Sequence, residues 1–246
     1  MATLTATPDA PSGAVDLAAT GLSGSVNIVR IDALGVVLAV RNADPAVLSG
    51  GSWTGQDFEG PLDELVTYEA RNAATGSALA TSSAVTLASN GKFWLVHPGH
   101  PELSITPVVA ALNLGARKAR SVALDVLGRA LPLGQSLARS AFAGTLSVRI
   151  STGADLAALN TILDDGHVLV LRAPGSWIGY RYRYIQVGDV DFDQLIRVPD
   201  GRFTVSLPWV EVTRPAGIAD TTVTLVGAGS AYLDTTLTLT SAGAKD

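Results

Sequence analysis

Apolar residues in this chain come in short, β-branched runs broken every ten residues or so by glycine, proline or asparagine, and that spacing favours antiparallel sheet over any helical architecture. Val15 and Leu17 open the series, Val26, Ile28 and Val29 continue it, and Val36 to Val40 (VVLAV) form a run of strand length. Between them stand turn residues: Gly21 and Gly24, Asp32 to Gly35, Asn42 to Pro45, and Gly50 with Gly51. Short strands at this interval predict a β-sandwich. The 246 residues include no cysteine, so neither a disulfide nor a thiolate-bound metal can staple such a fold, and packing or assembly must hold it. The apolar runs are too short to span a membrane, so no membrane span is expected. A net charge of -5 argues against general nucleic-acid binding, and no sequence-specific nucleic-acid partner is expected. MATLTATPDAPSG lacks the basic start and apolar core of a signal peptide, so export by that route is not expected.

The chain divides into four parts on composition. Residues 1–12 are small, polar and proline-containing and predict an N-terminal arm. Residues 13–89 predict the β-sandwich. A polar, glycine-containing break from Ser89 to Lys92 is the expected domain boundary. Residues 92–217 predict a β-rich α+β domain with one short helix near 154–165 packed on a sheet, and residues 218–246 (TTVTLVGAG, YLDTTLTLTSAG) predict a C-terminal β-hairpin extension. The fold class expected for the whole is mainly β. Within the first domain, Leu65 to Ala70 reads as a strand, Thr75 and Gly76 as a turn, and Ala84 to Leu87 as a further strand. This VTYEARNA strand, turn and threonine-serine-rich strand resembles the F and G strands of fibronectin type III domains, and the resemblance implies that Tyr68 packs at a corner of the sandwich.

The stretch from Gly144 to Gly217 has the clearest local logic. Leu146, Val148 and Ile150 alternate with Thr145, Ser147 and Arg149, the pattern of a half-buried strand. Thr152 then stands three residues before Asp155, the spacing of an N-cap with an acidic residue in the first turn. Leu156, Leu159, Ile162 and Leu163 form one helical face, and Gly166 suits the left-handed position past the helix end. VLVLR (168–172) is apolar enough for a sheet interior. In YRYRYIQV, Tyr180, Tyr182 and Tyr184 share one face and Arg181 and Arg183 the other. Phe203, Val205, Leu207 and Trp209 alternate in a last strand, and Pro208 within it predicts an edge or a bulge.

Taken in order, DFEGPLDELVTYEA, a histidine-proline loop, LGRALPL, a strand, an L-x-x-L helix ending in DDGHVLVLRAP, an aromatic strand followed by GDV, and PWVEVTRPAG resemble the minor tail proteins of siphophages that infect actinobacteria. The resemblance extends over about residues 10 to 217. It implies a virion component of distal tail or baseplate type at the tail tip, made in the host cytoplasm and working by assembly rather than catalysis. The partners it implies are other tail proteins (tail tube, hub, tape measure) and further copies in a homo-oligomeric ring, with a host-surface glycan as an additional contact. The alternative reading is a carbohydrate- or cell-surface-binding module, for which exposed aromatics such as Trp53 or Trp177 on a concave face would speak.

Chemistry is sparse. Asp189, Asp191 and Asp193 have the D-x-D-x-D spacing that opens a calcium loop, but Gln194 stands where glycine is needed and Asp200 where glutamate is needed, so a solvated strand face or turn is the plainer reading. His97 and His100, with Glu102, lie among Pro98 and Pro101 in a rigid loop and not on the helix that a histidine-pair metal motif requires. Asp164 and Asp165 sit at a helix end that disfavours negative charge; an exposed turn is expected, or pairing with a partner's arginine. No nucleophile with placed partners and no phosphate loop appears, so no enzyme activity, cofactor or metal is expected. The candidate interface residues are Arg117, Lys118 and Arg120, which could face DNA or an acidic neighbour or simply end a solvated strand, and Tyr180, Arg181, Tyr182 and Arg183, types enriched in interface hot spots.

Overall fold

Thr3, Thr5 and Thr7 alternate with Leu4 and Ala6, and this period of two makes Thr3–Asp9 a strand, β1, in the computed structural model of the chain. The structure describes residues 1–117, 120–124, 133–137, 140–166, 168–175, 181–194 and 203–215. β1 pairs antiparallel with β2 (Ala14–Thr20) along its whole length, from Thr3 opposite Thr20 to Asp9 opposite Ala14. The expected arm at 1–12 is therefore an integral strand: threonine is β-branched and supplies its wet face, while Leu4 is buried in the core.

β3 (Val26–Asp32), β4 (Val37–Ala39), β5 (Trp53–Asp57), β6 (Leu65–Asn72), β7 (Ala78–Thr81) and β8 (Val85–Thr86) follow. β1, β2 and β5 form one antiparallel sheet in that order, and β4, β3, β6 and β7 form another, with β8 also on β6. Leu4, Val15 and Leu17 from the first sheet pack with Val26, Ile28, Val66 and Tyr68 from the second, which makes the sandwich the turn spacing predicts.

The next elements are β9 (Trp94–Val96), a 3-10 turn at Pro101–Leu103, β10 (Val108–Ala116), β11 (Arg120–Leu124), β12 (Leu133–Leu137), β13 (Ala143–Ile150), the helix α1 (Gly153–Asp164), β14 (Leu169–Arg172), β15 (Tyr182–Val187), β16 (Asp191–Gln194) and β17 (Phe203–Glu211). Their main sheet runs β10-β13-β17-β15-β14-β9, with β16 also pairing β17, and β11 and β12 form a separate two-stranded hairpin. The chain is thus mainly β, with one α-helix among the described residues.

The helix forms where its caps require. Thr152 Oγ1 accepts from the Asp155 N–H at 3.1 Å, and Asp155 Oδ2 accepts from the Thr152 N–H at 3.0 Å, closing a reciprocal capping box. Gly166, at φ 66°, turns the chain out after the last turn. Leu159 and Ile162 are fully buried and Leu156 and Leu163 partly so, against Leu146, Val148, Leu169, Leu171 and Leu207 of the sheet.

Pro208 is neither on an edge strand nor at a bulge. β17 is central, with β13 on one side in unbroken register; on its other side β16 covers residues 203–206 and β15 covers 209–211. Pro208 falls at the gap between those two partners, where its carbonyl accepts from the Gly188 N–H at 2.8 Å and no ladder bond requires its missing N–H.

The expected boundary at Ser89 to Lys92 does not separate compact units. The units are Met1–Arg214 and Pro215–Asp246, and the second lies outside the described residues from 216 on, as does the hairpin expected at 218–246. The physical reason is that β14 and β9 are apolar on both faces: Leu169, Leu171 and Leu95 face the helix-covered core, while Val170, Trp94 and Val96 complete the core of the sandwich. The two sheet systems share side chains and so cannot be cut apart between them.

Candidate functional site

Where the sandwich meets the larger sheet, charged residues are buried together, and most of them come from the segments that carry the resemblance described above. Asp57 and Glu59 lie in DFEG at the end of β5. Asp57 Oδ2 accepts from Arg30 of β3 at 2.6 Å and from the Tyr68 hydroxyl of β6 at 3.0 Å, and its Oδ1 accepts from the Glu59 N–H at 2.9 Å. Burial opposes the charge on Asp57, but the Arg30 guanidinium and these hydrogen bonds outweigh it and hold the carboxyl below the usual range. The same site pushes the Tyr68 hydroxyl upward, through burial first and the Asp57 charge second. Tyr68 therefore is buried in the sandwich, with its hydroxyl on a carboxylate.

Glu59 is the hub. Its Oε1 accepts from Arg41 at 2.6 Å, and its Oε2 accepts from the Tyr184 hydroxyl of β15 at 2.9 Å and from Nε and a terminal nitrogen of Arg214 at 2.9 and 2.7 Å. One carboxylate thus ties the sandwich, the larger sheet and the segment after β17. Burial, then the Glu59 charge, push the Tyr184 hydroxyl up. Arg172, at the end of β14, is fully buried and donates to the Gly13 carbonyl at 2.5 Å; its Nε and other terminal nitrogen have no hydrogen-bond partner among the described residues. Burial draws this guanidinium down to about 10, against the opposing charge of Asp57.

Two further contacts complete the junction. Asp63, held at φ 57°, accepts from the Ser89 N–H at 2.7 Å, the Ser89 hydroxyl at 2.5 Å and the Gly175 N–H at 2.9 Å. Arg181 pairs with Glu64 at 2.8 Å and approaches Asp32 at 3.6 Å. Buried carboxylates saturated with donors make a lock; Asp57 and Glu59 offer no accessible oxygen to a substrate.

His97 has a comparable structural use. It is fully buried, its Nδ1 accepts from the backbone N–H groups of Gly99 and His100 at 3.1 and 2.8 Å, and its Nε2 lies 2.6 Å from Asp165 Oδ2. With Nδ1 occupied as acceptor, the ring proton sits on Nε2, on the side of Asp165. Asp164 and Asp165 are exposed at the end of α1 and Asp165 lies in a turn, as the sequence suggested, and the group that Asp165 meets there is a histidine of the same chain and not a partner's arginine. His100 is exposed and pairs with Glu102 at 3.0 Å. No group of three potential metal-binding residues occurs among the described residues.

Two of the predicted interface residues, Arg117 and Arg183, are brought together on the Phe142 ring, while Arg181 and Tyr182 face the sandwich. Arg117 donates to the Ser140 carbonyl at 3.1 Å and stacks over Phe142; Lys118 lies outside the described residues, and Arg120 lies on β11. Tyr180 is outside the described residues. Tyr182 packs against the sandwich core with Arg30 over its ring, and its ring meets Tyr184 edge-on. Arg183 pairs with Glu211 at 2.6 Å and stacks on Phe142. Arg181, Tyr182 and Tyr184 therefore serve a contact inside the chain. Trp53 is buried and cannot offer the exposed platform expected of a sugar-binding face; Trp177 is outside the described residues. Asp191 and Asp193 lie on β16, with Asp189 in the turn before it.

Sequence reasoning missed Arg30, Asp57, Glu59, Arg172 and Arg214 as one cluster. The available signal was a charge inside or ending an otherwise apolar run, as in VNIVRI and VLVLR. Compared with known proteins, the chain matches no protein-family model and no curated sequence.

Proposed function

We propose that the protein is a structural component of a bacteriophage virion, a minor tail protein of the tail tip or baseplate that acts by assembly with other tail proteins and with further copies of itself. The observation that supports this reading is where the segments that carry the resemblance meet. DFEGPLDELVTYEA, LRAP with the Gly175 that follows it, the aromatic strand and PWVEVTRPAG all contribute to one junction, as a rigid building block requires. The fibronectin-like character of the front belongs to the same proposal; the strand order β1-β2-β5 in one sheet and β4-β3-β6-β7, with β8 also on β6, in the other supports it. No enzymatic role is part of the proposal.

Size-exclusion chromatography with light scattering, followed by negative-stain microscopy, tests the assembly. A closed ring or a concentration-dependent oligomer is expected, and mass spectrometry of purified virions should find the chain among the tail proteins. A strictly monomeric chain absent from virions would remove the proposal.

A further inference from the structure

β5 is an edge strand. Among the described residues it pairs with β2 alone, so one backbone edge has no described strand beside it. A cavity of about 320 Å³ is lined by Trp53, Thr54, Gly55 and Gln56, four consecutive residues of that strand. Successive side chains of a strand point to opposite faces, so a space that touches four in a row lies along the edge and not over a face. Its other wall includes Pro98 and Pro101, which have no N–H and so bring no donor to compete for the edge. A wider cleft of about 990 Å³ also touches Gln56, Phe58 and Pro101 and carries the groove on toward Ser12 and Lys92.

Exposed edges are ordinarily protected by a lysine, a proline or a bulge. β5 reads WTGQD, has neither residue, and keeps unbroken register with β2 from Val15 opposite Asp57 to Ala19 opposite Trp53. The Trp53 indole lies across Gly55, where an added Cβ would stand 2.4 Å from the ring. The charged residues that line the narrow part, Arg41 and Glu59, are paired with each other at 2.6 Å, and Glu59 is further held by Arg214.

We propose that the free edge of β5 accepts an extended, uncharged peptide segment of a partner protein as an added strand, between β5 and the loop that carries Pro98 and Pro101. A row of backbone donors and acceptors at strand spacing matches a peptide, and because the charged side chains lining the groove are already paired inside the chain, an uncharged one fits best. A saccharide is the poorer match, since the aromatic ring it would stack on, Trp53, is turned onto Gly55. The site stands on the geometry of β5 and is unaffected if the chain proves monomeric.

The test uses the full chain and an acetylated, amidated hexapeptide of alternating threonine and valine. Amide hydrogen exchange across residues 53–57 should slow by at least about tenfold at saturating peptide. The same peptide methylated on the backbone nitrogens of its pairing edge should have no effect, nor should maltopentaose. Thr54→Lys, at an exposed position that leaves the core intact, should abolish the protection. Unchanged exchange at 53–57 with millimolar peptide, equal protection by the methylated peptide, or equal protection by maltopentaose would overturn the proposal.

Discussion

The Tyr184 hydroxyl donates to Glu59 Oε2 at 2.9 Å, joining residues 125 positions apart in sequence, and the same oxygen receives Arg214. Because Arg41 occupies the other oxygen, removal of this one carboxylate leaves two arginines and a phenol without their acceptor. Glu59→Ala should cost about 3–5 kcal/mol, the range for breaking a buried ion pair by deleting one partner. Urea unfolding measures it; a loss below about 1 kcal/mol would mean that the hub contributes little.

Acid should weaken the fold through Asp57. Its carboxyl is held below the usual range in the folded chain, so its contribution is present above the ordinary aspartate pKa and is lost as pH falls through the lower, folded value. Asp63 acts in the same direction, through its bonds from Ser89 and Gly175. Asp57→Asn should flatten the acid limb of a stability-against-pH curve. A limb of unchanged steepness in that variant would assign the effect elsewhere.

Gly13 combines a left-handed backbone, φ 69°, with three atoms of the Trp94 ring 2.8 Å from where a Cβ would stand. Its carbonyl also receives Arg172. Gly13→Ala should destabilise by about 2–4 kcal/mol, from strain and displacement of the indole together. A changed tryptophan emission spectrum under native conditions should accompany the loss.

His97→Leu removes the acceptor for two backbone N–H groups and the donor to Asp165, a cost of about 2–4 kcal/mol. The effect should be local as well as global, with faster amide exchange in the last turn of α1. Asp165→Asn, which keeps an oxygen for Nε2–H, should cost no more than about 1 kcal/mol.

What was legible in the sequence was what is local. Thr152 and Asp155 lie within one turn of each other, so the capping box and the helix bounds could be read directly. The alternation of Leu146, Val148 and Ile150 gave β13 in the same way. β1 was not read because threonine and alanine carry little apolar signal, although Thr3, Thr5 and Thr7 alternate with Leu4 and Ala6 and the strand is completed by its pairing with β2. The junction was out of reach for another reason. DFEG was visible as a segment, but its partners are Arg30, Tyr184 and Arg214, and nothing in the spacing of residues says which distant strand will meet it. Trp53 misled because aromatic character alone does not tell a platform from a core residue, and Gly55, two positions on, was the clue to where its ring lies.

The Asp63 carboxylate binds Ser89 and Gly175 at once, so the loop after β8 and the segment after β14 are fastened to one side chain. Mechanically this makes residues 1–214 a strut. A pull between β1 and β17 loads both sheet systems together, and this unit should yield under load in one step and not in two.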